Sequence, residues 1–363
     1  MTKLLLSGYF GFGNLGDDAI LYSMVNRIRA QRKDCEITVL SNCPKDTTQE
    51  LGVTAVNRWD LKDVISAIRG SDVFISGGGS LLQDITGVKS LLYYLGLIWL
   101  AEKLNKKVMI FAQGLGPLTG KTSRSQTAKI LSKVDVITVR DKDSAELLNS
   151  IGVTKQVTIT ADPVLALANE NRQFLSHETK ILSEFKLDSE KLIVVCPRTW
   201  KDNAFLDPLA EALSVLLSDG YQVCLVPFHV PGDLVFCQTI AASIGQDVVI
   251  IDRQVDLKEV AALFSQAELV IGMRLHSLII AAALGTPMVG ISYDPKVEAF
   301  LRAVEQPCAG NAQQVTAGAL IRTVGEVLNA PSSFSGRLEK NMSLLSSRVD
   351  RNYQLLYELI EKM

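Results

Sequence analysis

The sequence predicts an α/β chain built on two doubly wound parallel sheets. Three observations lead there. Short, almost wholly apolar runs alternate with amphipathic stretches of helical period, the pattern of parallel strands covered on both faces. The alternation occurs twice, interrupted by one mostly polar stretch, Ala168 to Leu187, with an Asn-Glu-Asn-Arg cluster. The length, 363 residues, suits two domains at about 150 residues each.

In the first half, strands are expected over Lys3–Ser7, Glu36–Leu40, Val73–Ser76, Lys107–Ala112, Val134–Val139 and Gln156–Thr160. Helices are expected over Asp17–Ala30, Leu61–Arg69, Leu91–Leu104, Ser123–Ser132 and Ser144–Ile151. The polar stretch reads as a domain boundary. Strands resume at Leu192–Cys196, Gln222–Pro227, Val248–Ile251, Leu269–Ile271 and Pro287–Ile291. Helices follow at Leu206–Ser218, Leu257–Phe264, Leu275–Leu284 and Val297–Val304, and Val315–Met363 is mostly helical. This gives a first domain over 1–165, a second over 185–330 and a helical tail over 331–363. Two such sheets imply a cleft between them. Ligands of such sheets sit beyond the carboxyl ends of the strands, so residues just after strands are the candidates for function.

Composition narrows the choice. Hydrophobic residues make up 47% and charged residues 21%, which excludes a disordered chain. Lys and Arg number 37 and Asp and Glu 39, a net charge of −2, which gives no electrostatic warrant for nucleic acid. Cys35, Cys43, Cys196, Cys224, Cys237 and Cys308 form no CxxC pair and no metal-ligand spacing with histidine. They read as thiols of a reducing compartment, and no metal is expected. The chain opens on Met1-Thr2-Lys3 and a strand rather than a signal peptide. Its longest apolar run, Leu91–Ala101, falls short of the roughly 20 residues that span a bilayer. A soluble, cytoplasmic protein is expected. Leu91–Ala101 could touch the inner membrane face peripherally, core packing being the plainer reading.

Three glycine loops follow strands. In the first, Gly8-Tyr9-Phe10-Gly11-Phe12-Gly13-Asn14-Leu15-Gly16-Asp17-Asp18, Gly11, Gly13 and Gly16 match a dinucleotide fingerprint. The second strand, however, ends in Val39-Leu40-Ser41-Asn42, with no carboxylate for a ribose. Asp17 and Asp18 stand where a pyrophosphate would meet the helix N-terminus. Carboxylates there suit sugar hydroxyls better, or simply cap the helix. The second loop, Gly77-Gly78-Gly79-Ser80-Leu81-Leu82-Gln83-Asp84, lets a ligand approach the backbone at Gly78 and Gly79, with Gln83 and Asp84 for hydroxyls; a plain strand–helix turn is the alternative. The third, Gln113-Gly114-Leu115-Gly116-Pro117, reads equally as a turn.

Charged residues follow strands too. Arg140 can grip a carboxylate or phosphate with two parallel bonds, or pair with Asp141 or Asp143. Asp162-Pro163 reads as a turn. The strongest cluster is Gly272-Met273-Arg274-Leu275-His276-Ser277. Arg274 and the helix-start amides make an anion site, and His276 beside them is the candidate for proton exchange. Lys296, in Tyr293-Asp294-Pro295-Lys296, adds a second cation or is a surface lysine. Arg198 and His229 are weaker candidates, and His177 is expected to be exposed. Together these suggest group transfer from a phosphorylated donor to a hydroxyl.

These residues, in this order, resemble the polysaccharide pyruvyl transferases, in particular the bacterial CsaB type. The resemblance rests on Gly8 to Asp18, Gly77 to Asp84, Gln113 to Pro117, Arg140-Asp141, Asp162-Pro163, Met273 to Ser277 and Tyr293 to Lys296. Asp18 stands where the family commonly has glutamate, which keeps the charge. The resemblance implies a GT-B-like fold of two Rossmann-like domains. It implies phosphoenolpyruvate as co-substrate without a cofactor, and a lipid-linked or oligosaccharide acceptor. The product would be a pyruvate ketal on N-acetylmannosamine of a cell-wall polymer that anchors S-layer proteins. Donor binding and catalysis would fall to Arg140, Arg274 and His276, with Lys296 binding donor. The acceptor side would be Gly11, Gly13, Asn14, Asp17, Asp18, Gly78, Gly79, Gln83 and Asp84. A nucleotide-sugar glycosyltransferase of the same architecture and a non-catalytic binder of cell-wall precursors are the rival readings.

Overall fold

The computed structural model describes residues 1–85, 87–169, 180–245 and 247–363. The chain forms two compact units. The first comprises residues 1–12, 17–163 and 345–363, the second residues 13–16 and 164–344.

The first unit holds seven strands: β1 (Thr2–Ser7), β2 (Cys35–Ser41), β3 (Thr54–Asn57), β4 (Val73–Gly77), β5 (Lys107–Gln113), β6 (Val136–Val139) and β7 (Val157–Ile159). They line up as β3-β2-β1-β4-β5-β6-β7, and every neighbouring pair is parallel. The winding reverses between β1 and β4. Leu4, Leu5 and Leu6 are all buried, as a strand covered on both faces requires. The helices are α1 (Leu15–Gln31), α2 (Pro44–Leu51), α3 (Leu61–Gly70), α4 (Val88–Lys103), α5 (Lys121–Leu131) and α6 (Lys142–Ser150). Asp60 caps α3 and Asp141 caps α6, each accepting backbone N–H groups of the first turn.

The second unit repeats the plan with β8 (Leu192–Cys196), β9 (Gln222–Leu225), β10 (Val249–Ile250), β11 (Leu269–Gly272), β12 (Met288–Ser292) and β13 (Cys308–Asn311). Their order is β10-β9-β8-β11-β12-β13, all parallel, with the reversal between β8 and β11. Its helices are α7 (Leu206–Ser218), α8 (Gly232–Ile244), α9 (Leu257–Gln266), α10 (Leu275–Leu284), α11 (Pro295–Ala303) and α12 (Ala317–Leu328). Asp256 and Glu259 form a reciprocal capping box at α9.

Among the strands and helices named above, β3, α2, β13 and α8 are not expected from the sequence. β3, Thr-Ala-Val-Asn, is a short edge strand, half-buried at its two central residues. α2 is polar at nearly every position and is marked only by Pro44 at its start and the left-handed Gly52 at its end. β13, Cys-Ala-Gly-Asn, has no β-branched residue. α8 carries Val, Phe, Thr and Ile, which favour strands, yet it is a helix whose buried face is Phe236, Cys237, Ile240 and Ile244.

The expected tail over 331–363 is one helix, α13 (Pro331–Glu361), whose residues from 345 onward belong to the first unit. Buried Asn352 accepts the Thr160 hydroxyl at 2.8 Å and donates to the Ala161 carbonyl at 3.1 Å. Tyr353 packs edge-on against Phe111, 5.2 Å between ring centres, and Arg27 pairs with Asp350. Asn352→Ala leaves the Ala161 carbonyl and Thr160 hydroxyl buried without these bonds. It should destabilise the chain by about 1–3 kcal/mol in urea denaturation, and an unchanged midpoint would show that this junction carries no stability.

Candidate active site

In the second unit, basic groups gather at the carboxyl edge of the sheet, beyond neighbouring strands at the winding reversal. Arg274 follows β11 and is the N-cap residue of α10. It forms a two-point ion pair with Asp233 at the start of α8, Nε to Oδ2 and Nη2 to Oδ1 both at 2.6 Å. Asp233 is buried and also accepts the Phe228 N–H at 3.2 Å. Two of the three guanidinium nitrogens are thus committed to Asp233, which leaves Nη1 for a ligand. The sequence reading gives the whole guanidinium to an anion, and the structure narrows that.

His276 is the second residue of α10 and half-buried. Its ring lies against Gly16, where any Cβ would overlap Nδ1. That contact explains why the glycine loop needs Gly16. Residues 13–16 belong to the second unit. The Leu15 N–H donates to the Phe228 carbonyl at 3.0 Å, and Asn14 bridges His229, which follows β9. Gly13 and Asn14, expected on the acceptor side, therefore stand with the histidines of the second unit.

Beyond β8, the Arg198 guanidinium lies 4.4 Å from the centre of the Tyr293 ring and 5.7 Å from that of Trp200. Its Nε is buried and has no hydrogen-bond partner among the described residues. Beyond β12, Lys296 is the second residue of α11, half-buried, its N–H bonded to Asp294 Oδ1 at 2.9 Å. Arg198 ranks low in the sequence because nothing beside it resembles a motif. Its place follows only from the strand order, which sets β8 next to β11.

In the first unit, the glycine loops are closed by their own neighbours. Gly78 has φ +61°, and a Cβ there would overlap Ile20 of α1; a Cβ on Gly79 would lie 2.9 Å from Asp17 Oδ1. The triplet thus admits α1 at close range, where the sequence reading expects a ligand. Gln83 is half-buried. Asp84 accepts the Thr119 N–H at 2.8 Å, the Thr119 hydroxyl at 3.1 Å and the Gly120 N–H at 2.9 Å. Burial would raise its pKa, but the donors from Gly120, Thr119 and Ser123 hold it down at about 2. Asp84 is a clamp for the loop before α5 rather than a partner for a sugar.

Arg140 is also engaged. Its side chain is 7% exposed, with Nη1 on Asp162 Oδ2 at 2.8 Å and Nη2 on Ser80 Oγ at 3.2 Å. The alternative partner Asp141 lies at 3.8 Å. Asp162, read as a plain turn, is instead the buried counter-ion. Arg140 is thus held within the first unit by Asp162 and Ser80.

Asp17 and Asp18 occupy the first turn of α1, half-buried. Burial, then the neighbouring Asp17 charge, pushes the Asp18 carboxyl up to about 7, against the Gly11 N–H that it accepts. Gly11 is held in turn by Asn42, whose Nδ2 donates to the Gly11 carbonyl at 3.2 Å. Asp18 can therefore hold or release a proton near neutrality. Among the described residues, no three His, Cys, Asp or Glu side chains group as metal ligands, and no helix is long and apolar enough to cross a membrane. His177 lies outside the described residues.

Because the Asp18 pKa rises on folding from 3.8 to about 7, protonation favours the folded chain. That stabilisation is complete below about pH 4 and is lost as pH rises through about 7. Unfolding free energy should fall across this window, and Asp18→Asn should flatten the fall. Parallel profiles for the two proteins would show that Asp18 is not perturbed.

The model of the family described as polysaccharide pyruvyl transferase matches residues 14–295. The amylovoran biosynthesis protein AmsJ of Erwinia amylovora is 24% identical over 387 aligned positions, covering 90% of this chain and 92% of its own. Among solved structures, HepE of Anabaena, crystallised with UDP and glucose, superposes with a TM-score of 0.65 at 10% identity, covering 100% of both chains. The UDP-GlcNAc 2-epimerase of Neisseria meningitidis gives 0.66 at 14%, covering 99% of this chain and 100% of its own. MnaA of S. aureus gives 0.68 at 12%, covering 99% and 98%. At such identities the likeness concerns the fold, which is GT-B-like with two Rossmann-type sheets. The match over residues 14–295 runs from α1 to the start of α11, taking in β2 to β12 and every basic group described above except Lys296, which lies one residue beyond it, and the chain belongs to the polysaccharide pyruvyl transferase family.

Proposed function

We propose that the chain transfers pyruvate from phosphoenolpyruvate to a sugar of a cell-surface polysaccharide as a cyclic ketal, releasing phosphate. The observation that supports this most is the basic edge of the second sheet: Arg198 beyond β8, Arg274 and His276 beyond β11, Lys296 beyond β12. Phosphoenolpyruvate carries a carboxylate and a phosphate and needs several donors at once. Arg274 Nη1, Lys296, Arg198 and the first amides of α10 are suited to them. Arg140, held by Asp162, acts in this reading by keeping the Ser80 and Gly114 loops in shape.

The chemistry balances without redox or metal. One sugar hydroxyl oxygen bonds to C2 of the donor while C3 takes a proton and becomes a methyl group. A second hydroxyl oxygen then bonds to C2 as the C2–O bond to phosphate breaks. Of the two hydroxyl protons, one offsets that gained by C3 and the other leaves with phosphate. His276 serves as acid or base beside the donor, and the basic groups stabilise the charge that builds on phosphate. Asp18, titrating near neutrality, suits an acceptor hydroxyl. No cofactor is required. In this reading, which follows the CsaB-type resemblance, the acceptor is N-acetylmannosamine of a lipid-linked cell-wall precursor and the enzyme works in the cytoplasm, where such a precursor would bring it to the inner membrane face.

The test is incubation with phosphoenolpyruvate and N-acetylmannosamine-containing oligosaccharides, following phosphate release and the mass of the pyruvylated product. His276→Ala should lower turnover by about 10²–10⁴-fold. Gly16→Ala, which pushes the imidazole aside, should cost about 10²-fold with His276 still present. Absence of phosphate release with every acceptor, together with calorimetric binding of UDP but not of phosphoenolpyruvate, would transfer the site to a nucleotide-sugar enzyme. Full activity in His276→Ala would remove the imidazole from the reaction.

A further inference from the structure

The first unit carries an aromatic surface that the donor chemistry does not use. Tyr9 follows β1 and stacks flat on Phe12, ring centres 4.0 Å apart and planes within 5°. Trp59 follows β3, meets Phe12 edge-on at 6.4 Å and leans on Tyr93 of α4 at 5.6 Å. Trp59 is 60% exposed and Tyr9 37%. Single exposed aromatics are ordinary, but a joined set held in fixed orientation is not.

The rings are held by a buried cation. Arg58 is 3% exposed, and its guanidinium lies 5.0 Å from the Phe12 centroid, 5.4 Å from Trp59 and 4.8 Å from Tyr93. Its Nη1 donates to the Gly8 carbonyl at 2.6 Å and its Nη2 to the Tyr94 hydroxyl at 3.1 Å. No carboxylate forms an ion pair with Arg58 among the described residues, and its buried Nε has no hydrogen-bond partner. Burying an unpaired guanidinium is costly, and the π faces around it supply the compensation.

The polar edge of the surface leads to the carboxylates. Trp59 Nε1 donates to Asn42 Oδ1 at 2.8 Å, and Asn42 Nδ2 to the Gly11 carbonyl at 3.2 Å; the Gly11 N–H in turn bonds Asp18. Tyr9, Asn42 and Trp59 thus follow β1, β2 and β3, three adjacent strands, at the edge where such sheets bind ligands.

We infer that Tyr9, Phe12 and Trp59 form a stacking platform for a hexopyranose ring of the acceptor glycan, an assignment that rests on the reading of this chain as a sugar-modifying enzyme. A pyranose has one face of axial C–H groups, apolar and weakly positive, which suits the negative face of an aromatic ring. Its rim of hydroxyls suits the amide and carboxylates bordering these rings. A lipid tail would match the rings but has no groups for the amide and carboxylates that border them.

The experiment is saturation-transfer NMR with methyl glycosides of N-acetylmannosamine, N-acetylglucosamine, glucose and galactose, in the absence of donor. At least one should bind. Trp59→Ala should weaken that binding by about five- to tenfold, Trp59→Phe should retain most of it, and Trp99→Ala, an exposed tryptophan outside the platform, should leave it unchanged. Undiminished binding in Trp59→Ala, or no binding by any glycoside, overturns the platform. Trp59-dependent binding in a protein that releases no phosphate from phosphoenolpyruvate keeps the platform and removes the transferase reading. Pyruvylation with Trp59-independent sugar binding does the reverse.

Discussion

The Asp233–Arg274 ion pair fixes the chemistry of the second sheet. A buried carboxylate stripped of its partner costs about 3–5 kcal/mol, so Asp233 holds Arg274 firmly. It also holds the Phe228 N–H just past β9. The loops beyond β9 and β11 are therefore one structure. Arg274 begins α10, so its orientation sets the first turn, where His276 stands against Gly16. Small changes at Asp233 would move the guanidinium, the helix start and the imidazole together.

The first sheet uses the same device. Arg140 and Asp162 pair under the loops of Ser80 and Gly114, and Asp84 gathers the amides before α5. The charges nearest the glycine loops are turned on one another, and rigidity at the strand ends is the result. The exception is Asp18. Its burial is compensated by a single backbone donor and opposed by Asp17, so it remains poised to exchange a proton. A loop made rigid by paired charges and a carboxylate kept near neutrality are complementary properties, since proton transfer depends on fixed geometry.

Most of the fold was legible because parallel strands buried on both faces must be apolar, and runs such as Leu4-Leu5-Leu6 or Leu192 to Cys196 suit little else than such strands. What escaped were elements whose residues carry no such demand: the edge strands β3 and β13, the polar α2, and α8 with its strand-favouring side chains. At the site, the residue types were legible and their partners were not. Arg274 and His276 stand out by their neighbours in sequence. Asp233 lies 41 residues away from Arg274 and Asp162 lies 22 from Arg140; these pairs exist only because of strand order. Likewise Gly78 advertises a close approach, but the sequence does not say that Ile20 is what approaches.

Neither unit is a single stretch of polypeptide. Residues 13–16 lie within the first unit's sequence and belong to the second, while 345–363 return to the first. The second unit excised as residues 164–344 would lack Leu15 and Asn14 and leave the Phe228 carbonyl without its donor. The first cut off at 163 would lack Asn352 and Tyr353 over Ala161 and Phe111. Swapping the second unit between homologues would here have to exchange residues 13–16 and 164–344 together. Inheritance of the two sheets is correspondingly linked, since a single recombination point between them severs contacts that both products need.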